Sequence, residues 1–158
     1  MLYQDFYSSP LGEIRLLADE EGLCGLYFVG QKYELRGFDK EEIACQSTSL
    51  LEAGKNWLDA YFSGQNLPAV SLSIYGTDFQ KRVWEELRLI PAGESLTYGQ
   101  LADRLSCKSA QAIGGAVGKN PLSLIIPCHR ILGADGSLTG YAGGLERKSW
   151  LLEHERRS

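Results

Sequence analysis

The spacing of apolar residues changes character along this chain. At the start they fall in short blocks: Leu2 and Phe6 share one side of residues 2–7, and Ile14 to Ala18 and Leu23 to Val29 follow, with the acidic turn Asp19-Glu-Glu-Gly22 between them. Blocks of this length bounded by turn residues predict strands, and connections this short predict an antiparallel meander. Ser8-Ser-Pro-Leu-Gly12 reads as the first turn, and the polar, mixed residues 30–46 read as a loop or short helix. From Ser49 the period becomes helical, with Leu50, Gly54, Trp57, Leu58, Tyr61 and Phe62 recurring on one side. Ser49-Leu-Leu-Glu52 fits a capping box there and Gly64 a stop. The aromatics of that stripe read as core packed on the meander rather than as a platform on which bases stack. Gln65 to Ser71 reads as a linker between halves.

Beyond the linker the helical period dominates. Thr77-Asp-Phe-Gln80 is another capping box, followed by Phe79, Val83, Leu87 and Ile90 at i, i+4, i+8 and i+11, and Pro91-Ala-Gly93 ends that helix. A third box, Thr97-Tyr-Gly-Gln100, opens a short helix with Leu101 and Leu105, and Ser109 can cap another holding Ala112, Ile113, Ala116 and Val117. Two short helices joined by a tight turn predict a helix-turn-helix. The almost wholly apolar run Leu122 to Ile126 reads as a buried strand, which Pro127 forces out of its sheet, leaving Cys128 at an element end facing a cavity. Gly133-Ala-Asp-Gly136 is a turn, Thr139-Gly-Tyr-Ala-Gly-Gly144 a glycine-rich loop that reads as a pocket wall, and a last helix from Leu145 to about Glu155 turns Trp150 and Leu152 toward the core. The predicted fold class is α+β. A small α/β N-terminal domain with an antiparallel sheet over 1–75 precedes a mainly helical C-terminal domain with a helix-turn-helix over 76–158.

Composition narrows the function classes. With 158 residues, 44% of them hydrophobic, the chain can bury a core in one domain or two small ones. It has no apolar span of about 18 residues, and Met1 is followed by neither a basic nor an apolar leader region, so a cytoplasmic protein without membrane contact is expected. Four cysteines, at 24, 45, 107 and 128, form no CxxC pair, and the two histidines are at 129 and 154, which supports neither a disulfide framework nor a zinc site. No metal and no cofactor is expected. The net charge of −4 hides an asymmetry, −6 over residues 1–75 and +2 over 76–158. Arg104, Lys108, Lys119, Arg130, Arg147 and Lys148, against Asp135 and Glu146, give the later half a modest footprint for phosphate contact.

The candidate chemistry sits at Pro127-Cys-His-Arg130. A thiolate is a soft nucleophile whose reactivity follows its pKa, and His129 and Arg130 are the neighbours able to lower it. Upstream, Gly114 and Gly115 lie together in a predicted helix, where each costs roughly 1 kcal/mol relative to alanine. Either tight helix packing or the close approach of a backbone or ligand has to offset that cost.

The four-residue run resembles the signature of the O6-alkylguanine-DNA alkyltransferases, suicide repair proteins that take an alkyl group from guanine O6 onto a cysteine. The resemblance continues through Thr97-Tyr-Gly-Gln-Leu-Ala102, Ile113-Gly-Gly115, Asn120-Pro121, Thr139-Gly-Tyr-Ala-Gly-Gly144 and Trp150-Leu-Leu-Glu-His-Glu155, in the family's order and spacing. It implies Cys128 as the acceptor, His129 acting on it through a water, Glu155 orienting His129, and Tyr98 as a donor toward the departing purine. Asn120 would tie the recognition helix to the active-site segment. Ile131, Tyr141, Ala142 and Gly143, with Tyr98, would form the pocket for a flipped base, Ala142 through its backbone N–H. Gln111, Ala112, Gly114, Gly115, Lys119 and Arg130 would meet double-stranded DNA carrying O6-alkylguanine, the small residues entering its minor groove. The resemblance further implies a monomer, a single turnover, and action on O4-alkylthymine as well. One position departs: the family usually has an arginine where this chain has Gln111. Glutamine can hydrogen-bond an orphaned base but brings no charge and less stacking area.

Two other readings compete. A lesion-binding protein that flags alkylated guanine without transfer would lack the cysteine. A sequence-specific transcription factor would need base-reading side chains on the recognition helix, and Gly114, Gly115, Ala116 and Val117 are poor readers.

Overall fold

The computed structural model describes residues 1–38 and 40–157, so that Asp39, in the stretch read as a loop or short helix, and Ser158 lie outside it. The chain divides into two compact units, Met1–Tyr75 and Gly76–Ser158.

In the first unit the predicted meander forms. Strands β1 (Leu2–Ser9), β2 (Gly12–Ala18) and β3 (Leu23–Phe28) pair antiparallel in sequence order. Alternation alone would leave one face of β3 wet, yet every residue of it is buried. One face is covered by helix α1 (Ser49–Ser63), which approaches so closely at Gly54 that a side chain there would press on Leu16 and Leu23. On the other side Leu2, Leu17, Cys24 and Phe38 form a cluster with Leu35 and Ile43.

Three expectations change here. Residues 30–46 hold turns and a short strand, β4 (Ile43–Cys45), which runs parallel to β1 and makes the sheet order β3-β2-β1-β4. Its three residues are too few to show a period. The cap of α1 is Thr48, whose hydroxyl accepts from the Leu51 amide at 3.3 Å, one residue before the predicted Ser49. The segment read as a linker ends by docking on β3: Leu23 N–H donates to Ser71 O, and Ser73 N–H to Leu23 O, both at 2.8 Å. Asp19 clamps the same corner, accepting from the Ser73 and Tyr75 hydroxyls at 2.6 Å each.

The second unit opens with α2 (Asp78–Arg88), then β5 (Leu96–Thr97), α3 (Tyr98–Arg104) and α4 (Ala110–Gly118). Both threonine capping boxes are present in full, at Thr77/Gln80 and Thr97/Gln100, each cap contributing ~1 kcal/mol. Ser109 caps α4, accepting from the Ala112 amide at 3.1 Å. Helices α3 and α4 form the helix-turn-helix, and α2 fastens it twice. Trp84 Nε1–H donates to Ala116 O at 2.8 Å, and Arg82 donates to Leu105 O at 3.2 Å.

The run Leu122 to Ile126 is buried except at Ile125, which is half-buried, but is not a strand. Leu124 has φ +73° with 2% exposure, the left-handed region that costs a non-glycine residue roughly 1–2 kcal/mol. The turn is held by Ile126 N–H to Leu122 O at 2.9 Å and by the Asn120 side chain. That amide donates to Ile126 O at 2.6 Å and accepts from Leu122 N–H at 2.9 Å, taking the place of a strand partner. Cys128–Arg130 then form one turn of 3-10 helix, so Cys128 does not end a strand. A two-residue strand, β6 (Ile131–Leu132), pairs parallel with β5 and carries the chain away. The closing helix α5 (Leu145–Arg157) turns Lys148, Leu151, Leu152 and Glu155 inward. Trp150, expected at the core, is 36% exposed and stacks on His154 with centroids 4.9 Å apart.

Candidate active site

The turn Cys128–Arg130 and the end of α5 bring four of the sequence's candidates together. His129 is wholly buried, and its Nε2 lies 2.6 Å from Glu155 Oε2. Arg130 grips the same carboxylate, Nε to Oε1 at 2.8 Å and Nη2 to Oε2 at 3.0 Å, while Nη1 donates to Ile90 O at 2.6 Å. Burial opposes the charge on Glu155, but the hydrogen bonds from His129 and Arg130 outweigh it and hold the carboxyl far below its ordinary pKa. An ionised carboxylate accepts only, so the His129 proton sits on Nε2. Burial pushes the His129 pKa below its ordinary value, with Glu155 pulling against it. The neutral ring therefore presents Nδ1 as an acceptor, and Nδ1 is buried with no hydrogen-bond partner among the described residues.

Cys128 is buried at the head of the same turn. Burial raises its thiol pKa, opposed by a hydrogen bond from Asn120 and by the charge of Lys148. Asn120 thus fixes the turn just before the cysteine. Tyr98 opens α3, and its hydroxyl lies where a side chain added at Gly140 would reach it, at 3.4 Å. Burial and the neighbouring Cys128 push the Tyr98 pKa up, and they push that of Tyr141 well up, so both phenols remain protonated donors. Ile131 is wholly buried on β6, and Ala142 and Gly143 lie in the turn just before α5.

The other candidates lie on α4 and, for Lys119, at its C-cap. Gln111, Ala112 and Gly115 are exposed, Gly114 and Lys119 partly so. A Cβ built on Gly114 or Gly115 meets nothing within 4 Å, so tight packing inside the fold does not account for the two glycines.

Two basic residues are not where charge counting put them. Arg130, expected at the DNA surface, is 8% exposed with its guanidinium committed to Glu155 and Ile90, because it shares a helical turn with His129. Lys148, counted in the same footprint, is wholly buried and donates from Nζ to Thr139 O at 2.8 Å and Gly140 O at 3.3 Å. The signal for Lys148 was available: with Leu151, Leu152 and Glu155 it completes an i, i+3, i+4, i+7 stripe.

Comparison with known proteins bears on the family and the fold of both units. Residues 2–74 match the model of the 6-O-methylguanine DNA methyltransferase ribonuclease-like domain, and residues 78–157 that of the 6-O-methylguanine DNA methyltransferase DNA binding domain. The chain is 40% identical to the methylated-DNA–protein-cysteine methyltransferase of Haemophilus influenzae, over 98% of this chain and 87% of that protein. It is also 40% identical to that of Methanosarcina acetivorans, over 98% of both. A crystal structure of Mycobacterium tuberculosis OGT in complex with DNA is similar at a TM-score of 0.88 and 37% identity, covering 98% of this chain and 93% of that one. Among the described residues no helix is long and apolar enough to cross a membrane. With both units matched by the two halves of one family and relatives alike over nearly their whole length, the chain belongs to the 6-O-methylguanine DNA methyltransferase family.

Proposed function

We propose that the protein repairs double-stranded DNA by taking the alkyl group of O6-alkylguanine onto Cys128, once per chain. The observation that carries this reading is the buried His129–Glu155 pair, bonded at 2.6 Å, whose free Nδ1 belongs to the residue next to Cys128. A water between Nδ1 and the thiol takes the proton to His129, and Glu155 stabilises the imidazolium, as a carboxylate does in a triad. Arg130 keeps Glu155 ionised and in place. The sulfur then attacks the alkyl carbon, the carbon–O6 bond breaks, and its electron pair passes into the purine. Tyr98 donates toward that purine, and the base leaves with a proton in place of its alkyl group. The product is a thioether, which has no easy route back to the thiolate. O4-alkylthymine offers the same kind of alkyl–oxygen bond and is a second substrate.

The base must leave the stack to reach a buried thiol, at a cost of a few kcal/mol. Tyr98, Ile131, Tyr141, Ala142 and Gly143 receive it. Gln111, Ala112, Gly114, Gly115 and Lys119 meet the minor groove, where the bare backbone of the two glycines allows close approach. Residues 76–158 thus carry both DNA contact and chemistry, in a protein acting as a monomer. Intact-mass analysis after exposure to an O6-methylguanine duplex tests this. The expected result is one methyl group per chain, mapped to Cys128 and absent from Cys128→Ser; a methyl on Cys24, Cys45 or Cys107, or sustained turnover, overturns it.

A further inference from the structure

A tyrosine near the surface of a fold turns its polar tip to water and lays its ring on the apolar side. Tyr141 does the reverse: the residue is partly exposed, yet its hydroxyl oxygen is buried and has no hydrogen-bond partner among the described residues. Ser123, itself buried, is near the phenol but not in hydrogen-bond geometry with it. The Tyr141 ring meets that of His129 edge to face, with centroids 6.4 Å apart and planes at 76°. Its backbone is held by the turn before α5, where Gly144 N–H donates to Tyr141 O at 2.9 Å. Among the described side chains of the second unit, the Tyr141 hydroxyl and His129 Nδ1 are the two buried polar atoms without a partner, and they belong to rings packed on each other. A buried polar group left unanswered is costly. Here one of the two donates, the phenol, and the other accepts, the neutral imidazole.

We propose that Tyr141 is a positioning residue of the transfer site, its hydroxyl holding the water through which His129 takes the Cys128 proton. This rests on the reading of Cys128 as the alkyl acceptor and His129 as its base. A buried water makes about three hydrogen bonds. The relay supplies two, the thiol donating to the water and the water to Nδ1, and the Tyr141 hydroxyl is the third. The S–H proton passes to the water oxygen and one of the water's own protons to Nδ1, so the water is restored between a thiolate and an imidazolium. Tyr141 donates to that water throughout and keeps its own proton, since burial and the neighbouring thiolate hold its pKa well up. The other groups acting on the thiol are Asn120 and Lys148, which favour its charge, and Tyr98 of α3, which stays neutral. Those acting on the phenol from α5 are Arg147 and Glu155.

The test compares the full chain with Tyr141→Phe, which removes the hydroxyl and keeps the ring that walls the base pocket. The rate of Cys128 alkylation by iodoacetamide is followed against pH by peptide mapping, alongside methyl transfer from an O6-methylguanine duplex at pH 7. Iodoacetamide needs the thiolate but no base pocket. The Cys128 midpoint should rise in Tyr141→Phe, slowing alkylation at pH 7 about tenfold for each unit moved, and methyl transfer should slow by the same factor. An unchanged midpoint overturns the proposal: with slowed transfer it puts the hydroxyl on the base, and with wild-type transfer it leaves the hydroxyl idle. The rise should also vanish in a His129→Gln background, which keeps a donor for Glu155 but has nothing in the place of Nδ1; a rise that persists there overturns the proposal by showing that the hydroxyl acts on the thiol without His129. If His129→Gln does not fold, the nitrogen NMR resonance of His129 Nδ1 decides: a shift between wild type and Tyr141→Phe supports the proposal, and an identical resonance overturns it. A wild-type protein that takes no methyl group onto Cys128 from the duplex refutes the underlying reading instead, whatever the variants do.

Discussion

The two glycines on α4 allow stability and function to be pulled apart by a single methyl group. A Cβ on Gly114 or Gly115 meets nothing within 4 Å, and neither residue has positive φ, so alanine fits the fold without strain. Alanine should therefore stabilise α4 by roughly 1 kcal/mol per site through helix propensity alone. For a unit the size of Gly76–Ser158 that raises Tm by roughly 4–8 °C. If α4 lies against DNA as proposed, the added methyl stands where the sugar-phosphate backbone must come, and duplex affinity should drop about tenfold, a loss of ~1.4 kcal/mol. Thermal unfolding and fluorescence anisotropy with a lesion-bearing duplex measure both effects on Gly115→Ala, the more exposed site. Transfer from the free alkylated base, which needs no DNA contact, is the control and should be unaffected. A more stable variant with wild-type duplex affinity would show that α4 does not face DNA at Gly115. A destabilised one would show that the glycines serve the fold after all.

Three further outcomes are expected. Glu155→Gln leaves Arg130 buried opposite a neutral amide and removes the partner of the imidazolium, so urea midpoints should correspond to roughly 3 kcal/mol of lost stability and transfer should slow at least about a hundredfold; wild-type rates would exclude His129 as the base. Gln111→Arg adds stacking area and charge, so repair of a duplex lesion should speed up while reaction with the free alkylated base changes little, and equal acceleration of both would place the effect at the thiol. Burial works against the Asp19 carboxylate, but hydrogen bonds from Ser73, Tyr75 and the Glu21 and Gly22 amides lower its pKa to about 2. A folded pKa below the unfolded value of about 3.9 means stability present above pH ~4 and lost as pH falls toward 2, a decline that urea titrations should find shallower in Asp19→Asn.

The elements legible in the sequence were those whose own residues close a local hydrogen bond. Thr77/Gln80 and Thr97/Gln100 bind reciprocally within four residues, so the spacing states the geometry and both boxes are present. The antiparallel meander is of the same kind, each strand being joined to the next by a short turn. What the sequence concealed depends on partners far along the chain. Strand β4 exists because β1, about 40 residues earlier, offers it an edge. The apolar run before Pro127 reads equally as a strand or a buried turn until Asn120 takes both of its end groups.

The same distinction explains the site. Cys128 and His129 were readable because they are contiguous and chemically uncommon, whereas the roles of Arg130 and Lys148 were hidden by their charge. A sequence count assigns every cation to the surface, since that is where most cations are. In this fold two of the six between Arg104 and Lys148 face inward, and each answers a local need: Arg130 fills both oxygens of a buried carboxylate, and Lys148 satisfies two carbonyls of the loop before α5. With those two removed, the exterior charge left for phosphates on this stretch falls from +4 to +2. Duplex affinity should then depend more on close backbone approach at Gly114 and Gly115 than on charge, and for a protein with only a few phosphate contacts the salt dependence of binding should be correspondingly shallow.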